Sequence, residues 1–343
     1  MIGVSIVGAG YWGPNLANSI ERTGLGRLIW ICDASIANAQ ALARKWPHAR
    51  ATADLSDVLA DPGVQAISIA TPTSTHFQVV KQCLEAGKHV MVEKPITTNS
   101  QHAAELIALA RRVGRILMVG HVFEYNPSVR AVSRLIRAGE LGNIHYLSFE
   151  RTNLGPVRTD VNALWDLASH DISIMCDFLG HSPLEVTAIG QSFLNPEVHD
   201  VVFATYIFPG GVAAHLHASW LNPRKVRQIT VVGSSKMALW DDLDLRHPVR
   251  LYDKRVDLPP LSGITGSFLE YKTLIVDGGM TTPAIEPGEP LLAECQHFLE
   301  CIRDGARPRS DGESGLRVVL ALEAAEASML NGGKLTQVKV VTP

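Results

Sequence analysis

The sequence predicts an α/β protein of two domains, and three observations lead to this prediction. Up to about residue 121, short apolar runs alternate with helical stretches, which is typical of a parallel sheet covered by helices. A glycine-rich motif directly follows the first of these runs. Beyond that point several strand-like runs follow one another, which indicates a mixed or antiparallel sheet in an α+β domain. We therefore expect one domain over residues 1–121 and a second over residues 122–343.

The first domain contains five apolar runs that fit strands buried on both faces of a sheet. Between them, apolar spacing predicts a helix over Ala37–Trp46 and another over Ala103–Val113. Asn99 or Ser100 is expected to cap the second helix, and Gly114 to end it. The strands are expected at Ile2–Val7, Leu28–Cys32, Ala66–Ala70, His89–Val92 and Ile116–Val119.

The second domain is predicted to hold helices near both ends and strands between them. Turn sequences such as Pro209-Gly210-Gly211 separate the strands. The stretch Pro259–Pro290, rich in Gly, Pro and Thr, is expected to be a long irregular loop. The predicted helices are Ser128–Ala138, Trp165–Leu179, Leu291–Arg303 and Gly315–Leu330. The predicted strands are Ile144–Glu150, Leu184–Ser192, Val201–Phe208, Gly211–Trp220, Lys225–Val232 and Lys236–Trp240.

The composition argues against several classes of protein. The chain has 343 residues, of which 46% are hydrophobic and 19% charged, which suits two well-packed domains. A net charge of −3 provides no basic surface for nucleic acid or for an anionic membrane. No apolar run approaches the roughly 18 residues that span a bilayer, and no basic segment precedes the first strand. We expect the protein to be neither inserted nor exported.

The cysteines and histidines give no pattern typical of a metal site. The five cysteines show no CxxC spacing, which argues against a disulfide framework or zinc and fits a reducing, cytoplasmic setting. His215 and His217 alternate on one predicted strand, as metal ligands sometimes do, but no third ligand lies at a suitable spacing. We therefore expect no metal.

The motif Gly8-Ala9-Gly10-Tyr11-Trp12-Gly13 lies between the first predicted strand and a helix that begins near Pro14. Here Gly8 permits a tight turn, Gly10 lets the backbone approach a pyrophosphate, and Gly13 lets helix and strand pack closely. The helix N-terminus attracts the anion. The sequence therefore predicts a dinucleotide site of the Rossmann type, with Tyr11 and Trp12 beside the cofactor.

Asp33 ends the second predicted strand, at the distance from the motif where dinucleotide-binding proteins carry an acid. Its carboxylate would accept hydrogen bonds from the adenosine ribose hydroxyls and would repel a 2′-phosphate. The next residue, Ala34, offers no arginine for such a phosphate. NAD is therefore expected in preference to NADP. The alternative is a glycine turn with an incidental aspartate.

Two polar segments follow neighbouring predicted strands at the sheet edge where ligands of open α/β sheets bind. They are Glu93-Lys94-Pro95 and the segment from Thr71 to His76. We expect Thr71, Pro72 and His76 to contact the nicotinamide half of the cofactor, and Glu93 and Lys94 to belong to the same site. The alternatives are a surface lysine in a turn and a capping or solvated histidine.

Asp166, His170, Ser173 and Asp177 form a polar stripe along the helix predicted to begin near Trp165, because they recur at helical spacing. Asp166 would hold His170 and raise its basicity, which makes His170 a candidate general base or acid for a substrate hydroxyl. The alternative is the ordinary solvated face of an amphipathic helix.

Four features together resemble the Gfo/Idh/MocA family, which includes glucose–fructose oxidoreductase and inositol dehydrogenase. They are the N-terminal glycine motif, Glu93-Lys94-Pro95, Asn126-Pro127 and the Asp-x-x-x-His pair of Asp166 and His170. The resemblance implies an N-terminal Rossmann domain, a C-terminal domain with a large open sheet used for dimer or tetramer packing, and hydride transfer at a sugar or cyclitol carbon. It further implies that Lys94 relays a proton, His170 is the general acid/base, Asp166 is its partner or a substrate ligand, and Asn126 contacts substrate.

The segment from Arg151 to Arg158, followed by Asp160-Val161-Asn162, looks like family members that oxidise carbon 3 of nucleotide-linked amino sugars, such as UDP-N-acetylglucosamine. Arg151 and Arg158 would hold a phosphate or carboxylate, and Asn153 and Asn162 would bind hydroxyl or acetamido groups. The alternative is a polar loop with ordinary surface arginines.

Three functions remain open at this point. The first is a dehydrogenase of a nucleotide-linked amino sugar, and the second is a dehydrogenase of a free inositol, polyol or glycoside in which Arg151 and Arg158 are structural. The third is a non-catalytic NAD-binding regulator, because a fold does not dictate one function. The expected partners are a small-molecule sugar and further copies of this chain in a homodimer or homotetramer, and neither nucleic acid nor a membrane.

Overall fold

The computed structural model describes residues 1–155, 157–158, 161–257 and 275–339, and these form two compact units. The first unit contains Met1–Asn126 and Gly288–Glu323, and the second contains the described residues of Pro127–Pro287 and Ala324–Pro343. The sequence analysis predicted one boundary, after residue 121, whereas each observed unit combines two segments of the chain. The segment Gly288–Glu323 packs with the first unit because it buries Phe298 and Leu299 in the core of that unit.

The first unit is built on six parallel strands in the order β3-β2-β1-β4-β5-β6. The order reverses between β1 and β4, which is the Rossmann arrangement and creates a ligand crevice at the carboxyl ends of these strands. All five predicted strands are present, while β3 was not predicted because its three residues form no apolar run. The strands are β1 (Ile2–Val7), β2 (Gly26–Cys32), β3 (Arg50–Thr52), β4 (Ala66–Ile69), β5 (His89–Glu93) and β6 (Leu117–Gly120).

The helices predicted in both units are present with boundaries that differ by a few residues, whereas α3 and α4 had not been predicted. Asn99 caps α5 by accepting a hydrogen bond from the His102 backbone N–H at 2.9 Å, and Gly114 ends it in the left-handed conformation, as predicted. Over the described residues, none of the helices combines the length and apolar character that crossing a bilayer requires. The helices are α1 (Gly13–Arg22), α2 (Ile36–Ala43), α3 (Leu55–Ala60), α4 (Thr73–Glu85), α5 (Ser100–Val113), α6 (Pro127–Arg137), α7 (Ser169–Leu179), α8 (Pro290–Asp304) and α9 (Gly312–Leu330).

The second unit is built on a nine-stranded mixed sheet in the order β14-β13-β12-β11-β7-β10-β9-β8-β15. Strands β7 and β10 are parallel, and the other neighbouring pairs are antiparallel. The strands are β7 (Ile144–Leu154), β8 (Glu185–Gln191), β9 (Val201–Ile207), β10 (Ala213–Ser219), β11 (Leu221–Gly233), β12 (Met237–Asp241), β13 (Val249–Val256), β14 (Ile275–Thr281) and β15 (Thr336–Gln337).

Three sequence predictions for this sheet need correction. Strand β7 continues to Leu154, so the segment that begins at Arg151 is partly strand and not loop. Strand β14 lies within the stretch Pro259–Pro290 that was expected to be irregular. Residues 259–274 of that stretch, together with Pro156 and Asp160, lie outside the described residues. Strands β13 and β15 were not predicted, because their polar residues mask the alternation.

The helix that carries His170 starts irregularly. A π-helical turn, Leu164–Ala168, precedes α7, whereas a regular helix was predicted from Trp165. In α7 most side chains are buried, Ser173 among them, so the alternative of a solvated helix face is wrong. Helix α6 packs against α7 and against β12 and β13, and the π-helical turn packs against β10. These contacts cover one face of the sheet.

Candidate active site

The glycine loop after β1 has the shape that a pyrophosphate requires. Gly8 adopts φ +101°, and a Cβ there would lie 2.5 Å from the Ala70 carbonyl oxygen. A Cβ at Gly13 would lie 2.1 Å from the Gly8 carbonyl oxygen, so glycine is needed at both positions. At Gly10 a Cβ would enter open space among the described residues. The loop therefore leaves an accessible backbone at the N-terminus of α1, which fits the phosphates of a dinucleotide.

Asp33 follows β2 directly and is tied to this loop. Its Oδ2 accepts a hydrogen bond from the Ala9 backbone N–H at 2.7 Å, and its Oδ1 accepts one from the Ser35 N–H at 2.9 Å. These contacts hold the carboxylate beside the glycine loop, where the adenosine ribose of a dinucleotide lies in this fold. The residues present thus fit both the phosphates and the ribose.

The aromatic pair of the loop and the segment after β4 belong to the first unit as well. Tyr11 is 91% exposed, and its ring stacks on that of Trp12 with centroids 6.3 Å apart. Thr71 precedes α4, and its hydroxyl oxygen accepts a hydrogen bond from Thr75 at 2.8 Å, while Pro72 is the exposed residue before the helix. Cofactor contacts by these residues stay predictions.

His76 serves the structure of the loops, so its expected contact with the nicotinamide needs correction. It is 1% exposed, and its two ring nitrogens lie 2.9 Å from the carbonyl oxygens of Pro95 and Thr71. Burial lowers the pKa of His76, whereas its contacts with backbone carbonyl oxygens oppose this change. Through Pro95, His76 holds the loop that carries Lys94.

Lys94 follows β5 directly, and its charge influences the buried His121 and the partly buried Glu93. Burial raises the pKa of the Glu93 carboxyl to about 7, and Lys94 opposes this rise. Burial, with the charges of Lys94 and Arg317, lowers the pKa of His121 to about 3. A Cβ at Gly120 would lie 3.1 Å from the Glu93 carboxyl carbon, so glycine leaves room for that group. Lys94 therefore neighbours a neutral imidazole and a carboxyl that ionises near neutral pH.

Glu294 and His121 are buried polar groups that the sequence analysis missed. Both are 0% exposed, and within the described chain no hydrogen-bond partner reaches the carboxyl oxygens of Glu294 or the ring nitrogens of His121. Burial raises the pKa of Glu294 well above its ordinary value, and the carboxyls of Glu93 and Glu124 raise it further. The one available sign in the sequence was a glutamate on the apolar face of α8. No local sequence pattern links this position to the first unit.

In the second unit, Asp166 lies in the π-helical turn and is held from two sides. The Trp220 indole N–H donates to its Oδ2 at 3.2 Å, and Arg158 Nη1 lies 3.3 Å from its Oδ1. His170 follows in the first turn of α7 and is partly buried. π-helical turns are frequent at functional sites, which agrees with the placement of Asp166. The predicted support of His170 by Asp166 stays a prediction.

Arg151 does not have the position expected of a phosphate ligand. It is buried, and its guanidinium forms a two-point ion pair with Asp171. Asn162 also needs correction, because its side chain accepts a hydrogen bond from the Trp165 N–H and donates one to Glu326, both at 3.1 Å. Arg158 remains exposed beside Asp166.

Asn153 and Asn126 were predicted to contact substrate. Asn153 lies on β7 and is partly buried; a Cβ at Gly155 would overlap its amide nitrogen, at 1.8 Å. Asn126, at the end of a 3₁₀ turn (Val122–Tyr125), donates its backbone N–H to the Phe123 carbonyl oxygen at 3.1 Å. For metal ions, no group of three or more His, Cys, Asp or Glu in the described part of the chain forms a suitable cluster.

A Rossmann sheet with a pyrophosphate cradle and a lysine at its ligand-binding edge is typical of nicotinamide-dependent oxidoreductases. The family model of the Gfo/Idh/MocA oxidoreductases with an NAD-binding Rossmann fold matches residues 2–121, and the model of their C-terminal domain matches residues 129–238. The chain therefore belongs to the Gfo/Idh/MocA family and is an NAD-dependent oxidoreductase of sugars or polyols.

Named relatives agree with this assignment over most of their length. UDP-N-acetylglucosamine 3-dehydrogenase of Acidithiobacillus ferrooxidans is 27% identical over 317 residues, which cover 92% of this chain and 93% of that protein. The NAD(+)-dependent scyllo-inositol 2-dehydrogenase of Bacillus subtilis is 28% identical over 87% of this chain and 84% of its own. A solved structure of the Acidithiobacillus enzyme superimposes with a TM-score of 0.80 at 26% identity and covers 96% of this chain and 99% of that one.

Proposed function

We propose that the protein transfers hydride between NAD and carbon 3 of a nucleotide-linked amino sugar. The observation that carries this proposal is the match to UDP-N-acetylglucosamine 3-dehydrogenase over 92% of the chain. Arg158 adds support, because its guanidinium is exposed beside Asp166 and suits an anionic group of the substrate.

In this proposal the chain's own residues move the proton and stabilise charge. His170 removes the proton of the substrate hydroxyl, and Lys94 stabilises the negative charge that develops on its oxygen. Asp166, held by Trp220 and Arg158, orients His170 or a substrate hydroxyl. The glycine loop and Asp33 would hold NAD, which would supply the acceptor for the hydride of the carbon that carries this hydroxyl. In the reverse direction His170 returns the proton and a 3-keto sugar is reduced.

Two alanine variants test the assignment of roles. Lys94→Ala and His170→Ala are each expected to lower turnover by at least about 100-fold, because each removes a group that acts on the reacting hydroxyl. The dissociation constant of NAD should change little, as fluorescence titration would show. His145→Ala, at an exposed histidine on β7, is the matched control and should keep normal turnover. Near-normal rates in both test variants would contradict the mechanism.

A free inositol or polyol is the second candidate substrate, and the structure supplies a reason to keep it. The burial of Arg151 removes one of two arginines that pointed to a nucleotide, and a relative of similar identity acts on scyllo-inositol by name. NADH formation with UDP-N-acetylglucosamine, free N-acetylglucosamine and scyllo-inositol separates the two candidates. Turnover of scyllo-inositol alone would overturn the nucleotide-sugar proposal. A complete lack of NADH formation alongside NAD binding would favour the regulator.

The preference for NAD over NADP is assigned to Asp33. Asp33→Ala is expected to relax discrimination against NADP by an order of magnitude or more, since the carboxylate that repels the 2′-phosphate is lost. The ratio of kcat/KM for the two cofactors measures this change. An unchanged ratio would contradict the role of Asp33.

The open face of the nine-stranded sheet is the proposed contact between copies of this chain in a dimer or tetramer. Tyr146, Ile189 and Phe203 are exposed there, and the Phe203 ring stacks on His217 with centroids 4.4 Å apart. Exposed aromatic and aliphatic side chains in one patch favour self-association. Phe203→Asp should lower the molar mass measured by light scattering, and an unchanged mass would contradict this surface. We also propose a reducing, cytoplasmic setting, because all five cysteines are buried and their spacing shows no disulfide framework.

A further inference from the structure

A buried ion pair joins β7 to the first turn of α7. Arg151 Nε lies 3.0 Å from each carboxylate oxygen of Asp171, and Nη2 lies 2.6 Å from Oδ1. The two side chains are 4% and 3% exposed. The guanidinium and the carboxylate therefore meet in a two-point contact, which fixes orientation as well as distance.

Stability alone does not account for such a pair. Two charges lose their hydration on burial, and this loss offsets most of their mutual attraction. Replacement of buried pairs by apolar side chains of similar volume is often neutral or stabilising in other proteins. Phe149, two residues earlier on β7, is buried in the core, so an apolar side chain at position 151 would also suit this face of the strand. The pair is better explained by the geometry that it imposes.

The ion pair meets α7 directly after an irregular turn. The π-helical turn before it interrupts the regular i→i−4 hydrogen bonding that otherwise determines the rotation of the next turn. Asp171 directly follows His170, so the pair fixes the same helical turn from which the imidazole projects.

We propose that Arg151 and Asp171 are positioning residues for His170. By locking the first turn of α7 to the central strand β7, they hold the imidazole in the orientation that proton transfer requires. This inference rests on the proposed function of His170 as general acid and base. It gives Arg151 a role in turnover without contact to the substrate.

A double substitution separates positioning from folding. Arg151→Met together with Asp171→Leu removes both charges and keeps the volume, so the thermal midpoint and the NAD dissociation constant should stay near those of the unmodified protein. With UDP-N-acetylglucosamine or scyllo-inositol as substrate, we expect kcat to fall at least 10-fold and KM to change less than threefold. The limb of the pH–rate profile that depends on His170 should also be displaced. Arg151→Lys keeps the charge without the two-point contact and is expected to lower kcat as well. This variant replaces the double variant in the test if the double variant does not fold.

Coupling to His170 gives the sharpest test. In a His170→Ala background the double substitution should change kcat less than twofold, because the group on which it acts is gone. Arg227 lies on the neighbouring strand β11 and pairs with Asp242 at 3.1 Å. Arg227→Gln, which breaks this pair, is the matched control and should leave kcat unchanged. An equal loss of kcat in both backgrounds, or normal kcat and pH profile in the double variant, would overturn the inference. Normal turnover in His170→Ala would overturn the proposed function and this inference together, whereas a slow His170→Ala with an unaffected double variant overturns the inference alone.

Discussion

The buried polar groups of the first unit, which contains Lys94, and those near His170 in the second unit differ in whether they are paired. In the first unit His121, whose pKa the charge of Lys94 lowers, and Glu294 are buried, and neither has a hydrogen-bond partner within the described chain. Around His170 the charges are paired, as in Arg151 with Asp171. Burial without pairing shifts pKa values, whereas pairing fixes positions. We infer that ionisation is adjusted in the first unit and geometry in the second.

The largest difference is expected when one member of each region loses its polar group. Arg151→Met alone leaves the Asp171 carboxylate buried and unpaired, so the free energy of unfolding of the second unit should fall by about 3–5 kcal/mol. His121→Leu removes a buried ring without hydrogen bonds in the described chain, so the first unit should lose less than about 1.5 kcal/mol. Denaturant unfolding followed by hydrogen exchange in each unit measures both values. Similar losses in the two variants would break the comparison.

The pH dependence of stability should also differ between the units. In the folded protein the pKa of His121 is about 3, below its ordinary value of 6.5, so its contribution is complete above pH 6.5 and is lost as pH falls towards 3. The pKa of Glu93 is raised to about 7 from 4.5, so its contribution is complete below pH 4.5 and is lost as pH rises to 7. Each group changes the unfolding free energy by up to about 1.4 kcal/mol per pH unit within its window.

Hydrogen exchange of the first unit between pH 4 and pH 8 would reveal these two slopes. His121→Leu should remove the loss on the acid side and leave the loss on the alkaline side in place. The unmodified protein should therefore lose more stability than His121→Leu when pH falls from 6.5 to 4, because the opposing change at Glu93 is common to both proteins. If both proteins changed equally over this range, burial would not be what controls the ionisation of His121.

A smaller effect is expected at Glu294. Its raised pKa means that the folded protein retains a proton which the unfolded chain releases, so stability falls as pH rises above about 4.5. Glu294→Gln removes this dependence and should raise the unfolding free energy at pH 8 on the order of 1 kcal/mol. Glu300→Gln, on the same helix and hydrogen-bonded to Gln296, is the control and should stay within about 0.5 kcal/mol. A destabilised Glu294→Gln protein would show that the carboxyl is ionised and bound.

Local pattern was enough to predict most of the fold. The glycine loop, the Rossmann strands and the cap of α5 each depend on residues close together in sequence, and all are present. Short or polar strands such as β3 and β13 escaped prediction, because they carry no apolar run or clear alternation. The π-helical turn before α7 also escaped, since its residues fit regular helical spacing equally well.

The site was predicted only where its residues follow a strand or share a helix. Lys94 lies at the end of β5, and Asp166 precedes His170 by one helical turn. The pairing of Arg151 with Asp171 depends on a strand and a helix that meet only in the folded chain, so the sequence left Arg151 available for a phosphate. Glu294 reaches the first unit only because α8 returns to it, which no local pattern contains.

The two-part make-up of the first unit limits how this protein can be recombined. Its hydrophobic core combines Leu16 and Ile20 of α1 with Cys295, Phe298 and Leu299 of α8. A fragment that stops at Asn126 would expose the α1 face that α8 covers, and we expect such a fragment to aggregate. A chimera that exchanges the cofactor-binding unit between relatives must therefore carry residues 1–126 and 288–323 together. A chimera whose crossover point is chosen from the glycine motif alone would take the two segments of this unit from different parent proteins.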